Sequence, residues 1–425
     1  MITTLIIAVF VLGYVAIAFE HPLKLNKAAS ALITGVACWT IYILQSESTH
    51  VVSEELLHHL GEIASILFFL LGAMTIVELI DSHNGFDIIT QKIQTSSKST
   101  LLLIITAVTF FLSALLDNLT TAIVMTSLCS KILNEKEDRL WFAGMIIIAA
   151  NAGGAWSPLG DVTTTMLWIG KQITALNIMK QLILPSLVAC IIPALLIAYR
   201  FRGKKIAAMP ESICTIKEKR EGRIILFSGA GLLIFVPLFK TVTHLPPFMG
   251  MLLALGLMWI ITTFIHKSKG DEMAERFTVA RALQRIDTPS ILFFLGILLA
   301  VSALQSIGTL KELASFLSNT FKNDYLIGIA LGLLSAIVDN VPLVAATQGM
   351  YDLSTYPTDH PFWEFIALTT GTGGSAIIIG TAAGVAVMGI EQIKFMWYLK
   401  NIGWLALVGF AAGVLIFLLQ IRLTG

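Results

Sequence analysis

Apolar residues come in long blocks along this chain rather than in alternation. Blocks long enough to cross a bilayer as helices fall near residues 2–19, 28–45, 63–80, 173–199, 224–241, 246–265, 289–308 and 401–421. Four further stretches depart from that pattern. Residues 100–131 form an apolar run of 32, which as one straight helix measures about 48 Å against a hydrocarbon core of about 30 Å. Residues 140–170 and 362–390 are similarly long and interrupted by Gly, Pro and polar residues, and 325–350 is broken at Asp339. Such interruptions predict re-entrant hairpins and broken helices, because irregular backbone at membrane depth survives only against protein or a cavity.

The pattern also repeats. "SILFFL" occurs at 65–70 and 290–295, "SALLDN" at 113–118 answers "SAIVDN" at 335–340, and "NAGGAWSPLGD" at 151–161 aligns with "GTGGSAIIIGT" at 371–381. The offsets are 225, 222 and 220 residues, in the same order each time. Two copies of one unit are therefore expected, at 1–199 and 224–425, joined by the polar linker 200–223.

Charge then selects a topology. If 100–131 and 325–350 are hairpins that enter and leave on one side, the segments 20–27, 81–99, 131–139, 200–223, 266–288 and 391–400 share a face and hold 22 of the 28 Lys and Arg residues. The positive-inside rule makes that face cytoplasmic. Treating 100–131 as two full crossings puts 131–139 and the very basic 200–223 on the wrong side. The expected fold is an all-α polytopic membrane protein built of two inverted repeats. It has about ten transmembrane helices, two oppositely facing re-entrant hairpins (100–131 and 325–350) and broken helices at 140–170 and 362–390.

Composition agrees with a membrane medium. Of 425 residues 56% are hydrophobic and 13% charged, with mean hydropathy +0.83, where a soluble chain carries about a quarter charged residues. A net charge of +1 argues against a nucleic-acid partner. Cys38, Cys129, Cys190 and Cys214 are scattered, which indicates neither a disulfide framework nor a metal cluster. The N-terminal "MITTLIIAVFVLGYVAIAFEHP" lacks a basic leader and a small-x-small cleavage site, and is read as a retained first helix.

Inverted repeats with broken helices place a substrate site near the bilayer midplane. The first repeat offers Ser113, Asp117, Asn118, Thr120 and Thr121, then Asn151, Ser157, Asp161, Thr163, Thr164 and Thr165. The second offers Ser335, Asp339 and Asn340, then Thr369, Thr370, Thr372, Ser375 and Thr381. A carboxylate inside a membrane is a functional candidate by default. Asn118 and Asn340 serve either as ligands or as caps of the second hairpin arms, and Asp117 and Asp339 have the same two options. Asp161 has no acidic counterpart, since Thr381 aligns with it. The glycine pairs read as positions of close backbone approach. Thr120, Thr121 and Thr165 read as hydroxyls bonded to backbone carbonyls.

Carboxylates, amide oxygens and hydroxyls are hard donors suited to Na⁺ or Li⁺, and no Lys, Arg or His falls within these segments. A carboxylate that holds either Na⁺ or H⁺, but not both, is the simplest exchanger.

The two Asp-Asn hairpin tips, "NAGGAWSPLGDVTTT" and "TTGTGGSA" resemble the NhaD-type sodium/proton antiporters of the ion transporter superfamily, over essentially the whole chain. The resemblance implies a bacterial inner-membrane exchanger that exports Na⁺ or Li⁺ for protons by alternating access. It implies no cofactor, only the transported ions and the lipid bilayer as partners, and it is compatible with a homodimer. Its implied site residues are Asp117, Asn118, Asn151, Asp161, Thr163, Thr164, Ser335, Asp339, Asn340, Thr372 and Ser375, with Na⁺ held at Asp117, Asp161 and Asp339. Glu78 either relays protons or sits in the headgroup region. The superfamily also contains carboxylate and arsenite carriers, so a carrier of anions is the alternative; it lacks an intramembrane base here. An intramembrane aspartyl protease is the enzyme alternative; it is expected to show a Tyr-Asp pair and Gly-x-Gly-Asp, whereas the aspartates here stand in "VDN" and "SPLGD".

Overall fold

The computed structural model describes residues 2–18, 20–86, 95–206, 216–266 and 278–424. Cys214 and parts of the loops expected at 81–99, 200–223 and 266–288 lie outside the described residues. Among those described, the chain is all helix, with no strand element. The helices of eight or more residues are α1 Ile2–Ala18, α2 Lys27–Gln45, α3 Thr49–Ser82, α4 Lys98–Leu116, α5 Asn118–Ile132, α6 Lys136–Ala155, α7 Val162–Ile169 and α8 Ala175–Arg200. There follow α9 Ile216–Thr243, α10 Pro247–His266, α11 Thr288–Ser306, α12 Thr309–Phe321, α13 Asp324–Leu334, α14 Asn340–Met350, α15 Pro361–Gly373, α16 Ala382–Glu391 and α17 Trp404–Thr424.

Eight helices of the described chain are long and apolar enough to span a membrane. Seven match expected spans, and the eighth is Lys98–Leu116, which the sequence assigned to a hairpin arm. The expected first span falls just short, at Thr3–Ala18, and the two broken helices are divided into pieces. One boundary moves far. The span expected at 63–80 begins at Thr49 and runs for 34 residues, because His50, Glu54, Glu55, His58, His59 and Glu62 lower hydropathy without opposing a helix.

The interrupted stretches break where polar residues stand. Asp117 separates α4 from α5, residues 156–161 separate α6 from α7, 335–339 separate α13 from α14, and 374–381 separate α15 from α16. Lys98 Nζ meets Glu135 Oε1 at 3.2 Å and also bonds Asp138. The start of α4 and the start of α6 are therefore neighbours, and the chain between them goes out along α4 and returns along α5. At the second break, Tyr325 at the start of α13 and Tyr351 just past α14 meet α15, with ring centroids 5.3 Å from Phe365 and 4.9 Å from Phe362.

The glycines approach backbone as expected, and they do so in matched pairs. A Cβ on Gly153 would stand 2.2 Å from the Phe110 carbonyl oxygen, and one on Gly373 would stand 2.1 Å from that of Gly332. These contacts seat α6 on α4 and α15 on α13.

Polar contacts gather at two ends of the bundle. At one, Arg139 Nε donates to Glu391 Oε2 at 3.0 Å, Arg200 reaches Glu137 at 3.1 Å, and the Lys98 cluster lies beside them. The side chains of Arg285 and Glu78 also approach there, at 3.6 Å. At the other end, Asp359 accepts from the Thr174 amide at 2.6 Å, Lys240 Nζ donates to the Trp168 carbonyl at 2.9 Å, and Asn177 bonds Glu364.

Candidate ion-binding site

Four helix starts converge between these ends. The residue before each caps it: Asp117 accepts from the Thr120 amide, Asp161 from Thr163, Asp339 from Val341 and Thr381 from Gly384. Caps of this kind satisfy N–H groups that have no partner within the helix. The aspartates, rather than Asn118 and Asn340, therefore do the capping. That leaves both carboxamides free to point elsewhere, and both point at Asp161.

Asp161 is 2% exposed. Its Oδ2 accepts from Asn118 Nδ2 at 2.8 Å and from Asn340 Nδ2 at 3.2 Å, while Oδ1 accepts from the Thr163 amide at 3.0 Å. Asn118 Nδ2 also donates to Asn151 Oδ1 at 3.1 Å. Asn151 in turn donates to Ser375 Oγ at 2.9 Å and to Thr381 Oγ1 at 3.1 Å. One network thus runs from α5 through α6 and α7 to α14 and α16. Among the described residues Asp161 has no Lys, Arg or His partner.

The other carboxylates stand apart. Asp117 is half-buried at φ 93°, a conformation rare outside glycine, and Thr120 holds both its oxygens: the amide donates at 2.7 Å and Oγ1 at 2.9 Å. Asp339, its counterpart by alignment, has φ −46° and a long 3.4 Å bond from the Val341 amide. The same Asp-Asn pair is thus built on two different backbones. Among the described residues no three Asp, Glu, His or Cys side chains are grouped to hold a metal, so the three aspartates form no single cage.

The remaining predicted residues divide by their hydroxyls. Ser375 and Thr381 join the network. Thr164 Oγ1 donates to the Asp161 carbonyl at 2.9 Å, Thr372 Oγ1 to Leu368 at 2.6 Å, and Ser335 Oγ to Thr370 at 2.9 Å, echoing Ser113 to Ala150 at 2.6 Å. Thr163 contributes its backbone amide. Thr120 bonds a carboxylate, whereas Thr165 bonds the Pro158 carbonyl at 2.8 Å as expected. Glu78 lies near the end of α3 beside Arg285, outside the network. Lys27, which begins α2, lines a cavity with Asp339. No motif or spacing links the two, since Lys27 begins a different span.

A family model described as "Citrate transporter" (CitMHS) matches residues 14–371. The chain is 47% identical over 410 residues to "Sodium/proton antiporter 1" of Arabidopsis thaliana, covering 96% of this chain and 71% of that protein. It is 44% identical over 412 residues to "Sodium/proton antiporter 2" of the same plant, with 96% and 97% covered. "Na(+)/H(+) antiporter NhaD" of Vibrio cholerae serotype O1 is 32% identical over 442 residues, with 97% and 90% covered. Matches of this extent take in both halves of the chain and nearly all of the network around Asp161, and the chain accordingly belongs to the citrate-transporter family and, within it, to the NhaD-type sodium/proton antiporters.

Proposed function

We propose that this protein is a secondary active Na⁺(Li⁺)/H⁺ antiporter that exchanges its ions by alternating access at midplane carboxylates. Asp161 carries the proposal: it is a buried carboxylate with no basic partner among the described residues, met by carboxamides from both halves of the chain. A charge at membrane depth needs a counter-ion or a proton. One carboxylate accepts Na⁺ or H⁺, and each displaces the other. Asn118, Asn151 and Asn340 hold the carboxylate in place and offer amide oxygens to the ion. Ser375, Thr381 and the Thr163–Thr164 helix start complete the surround, and Asp117 and Asp339 flank it as further exchange positions.

The architecture belongs to the same proposal. Two inverted repeats with re-entrant hairpins at 100–131 and 325–350 account for the matched glycine contacts, the matched Ser113 and Ser335 bonds, and the meeting of Asn118 and Asn340 on one oxygen. The ion pairs at one end join segments that charge counting assigns to the cytoplasm. Cysteines introduced at Lys98 and Glu135 in separate variants are expected to react with an impermeant maleimide from the same, cytoplasmic side. Labelling from opposite faces would end the hairpin reading of 100–131.

A carrier of carboxylate anions is the second reading, on one observation: the matching family model is described as a citrate transporter. Among the described residues no Lys, Arg or His is bonded to Asp161 to hold such an anion. Acridine-orange dequenching in everted vesicles separates the two. Na⁺ and Li⁺ are expected to discharge the proton gradient, while K⁺ and citrate leave it intact. Discharge by citrate with no response to Na⁺ reverses the assignment.

A further inference from the structure

Asp339 and Lys27 border one cavity of about 50 Å³, with Tyr14, Glu20 and Phe293. That space holds a bare ion or very few waters. Neither charge is neutralised closely. Among the described residues the Asp339 side chain is met by backbone amides, the Val341 bond being long at 3.4 Å, and neither it nor the Lys27 ammonium makes an ion pair within 4 Å; the ammonium lies 4.7 Å from the centre of the Phe293 ring. Lys27 and Glu20 also border a second, wider cavity of about 210 Å³. Leu119, next to Asn118, and Ala382, next to Thr381, line that wider space too. The lysine therefore stands at the partition between the wider cavity and the small chamber at Asp339.

An ammonium on a flexible four-carbon stem is a point charge that can swing. An aromatic face gives it a second resting place when it leaves the carboxylate. We propose that Lys27 is a tethered counter-ion of Asp339 that an entering Na⁺ must displace, which makes it a determinant of Na⁺ affinity from the face carrying residues 20–27. This rests on the antiport reading for its purpose, but its signature is in ion binding.

The test is Na⁺ binding to purified protein, followed by calorimetry at alkaline pH where protons compete least, with exchange in everted vesicles measured alongside. Lys27→Gln is expected to bind Na⁺ about tenfold more tightly than the parent, as a like charge beside the site is lost. Lys27→Arg, which keeps the charge, is expected to stay within about twofold. With Asp339→Asn already present, adding Lys27→Gln should change binding by less than about twofold, since the two act as a pair. Unchanged or weaker binding in Lys27→Gln overturns the proposal. So does a full tenfold effect in the Asp339→Asn background. Absence of exchange in the parent protein counts against antiport, while the binding comparison still decides the role of Lys27.

Discussion

Asp161→Asn is expected to abolish Na⁺-dependent dequenching at neutral and alkaline pH while the protein reaches the membrane in normal amounts. Asparagine caps a helix about as well as aspartate, so the Thr163 amide keeps its acceptor and α7 its start. The charge is lost. At an effective dielectric near 20, one charge pair at about 4 Å is worth about 4 kcal/mol, which corresponds to roughly a thousandfold weaker ion binding. With the one carbonyl oxygen kept by the Thr163 amide, an NH2 group takes the Oδ2 place, and the Asn118 and Asn340 carboxamides lose the oxygen on which both now meet. Thr381→Val removes the acceptor of one Asn151 bond and the α16 cap, a loss of about 1 kcal/mol, and should lower exchange far less. Equal and slight effects of both substitutions would take Asp161 out of the site.

Asp117→Asn is expected to be as severe. Asparagine has the same size and branching as aspartate, so it adds no strain to the unusual backbone at φ 93°, and its side-chain oxygen still receives the Thr120 amide. What disappears is the capacity to hold a cation or a proton in alternation. Asp117→Glu keeps that capacity but moves the oxygens by one methylene and spoils the cap, so a remnant of exchange at higher Na⁺ should persist. Full exchange in Asp117→Asn means that this aspartate only caps its helix. Asp339→Asn, measured in the same way, asks whether the mate on its different backbone titrates as well.

The breaks in the helices were legible in the sequence because polar residues in apolar runs have few other uses. Asp117, Asp161 and Asp339 each mark one, and the repeat placed Thr381 opposite Asp161. The meeting of Asn118 and Asn340 was not legible. It depends on register across 179 residues, and local propensity treats Asp and Asn as interchangeable caps. Only the packed helices decide which of the pair caps and which reaches across. The early start of α3 escaped for another reason: hydropathy tracks the membrane, whereas a helix continues into water wherever its backbone bonds do. Lys27 escaped because a cavity formed by several separate segments leaves no spacing to find.

The bond between Asn340 and Asp161 also has a consequence for biogenesis. Asn340 is made 179 residues after Asp161, which at 5–20 residues per second is a delay of roughly ten to forty seconds. Throughout that interval the nascent first half holds a carboxylate whose second carboxamide donor does not yet exist, and Asn151 has neither Ser375 nor Thr381 to bond. Insertion of the first half and completion of its polar centre are therefore separate events in time. The early helices must wait, protonated or shielded by the insertion machinery, for the late ones to close around them, and a chain cut short before residue 340 would strand that charge in lipid for quality control to find.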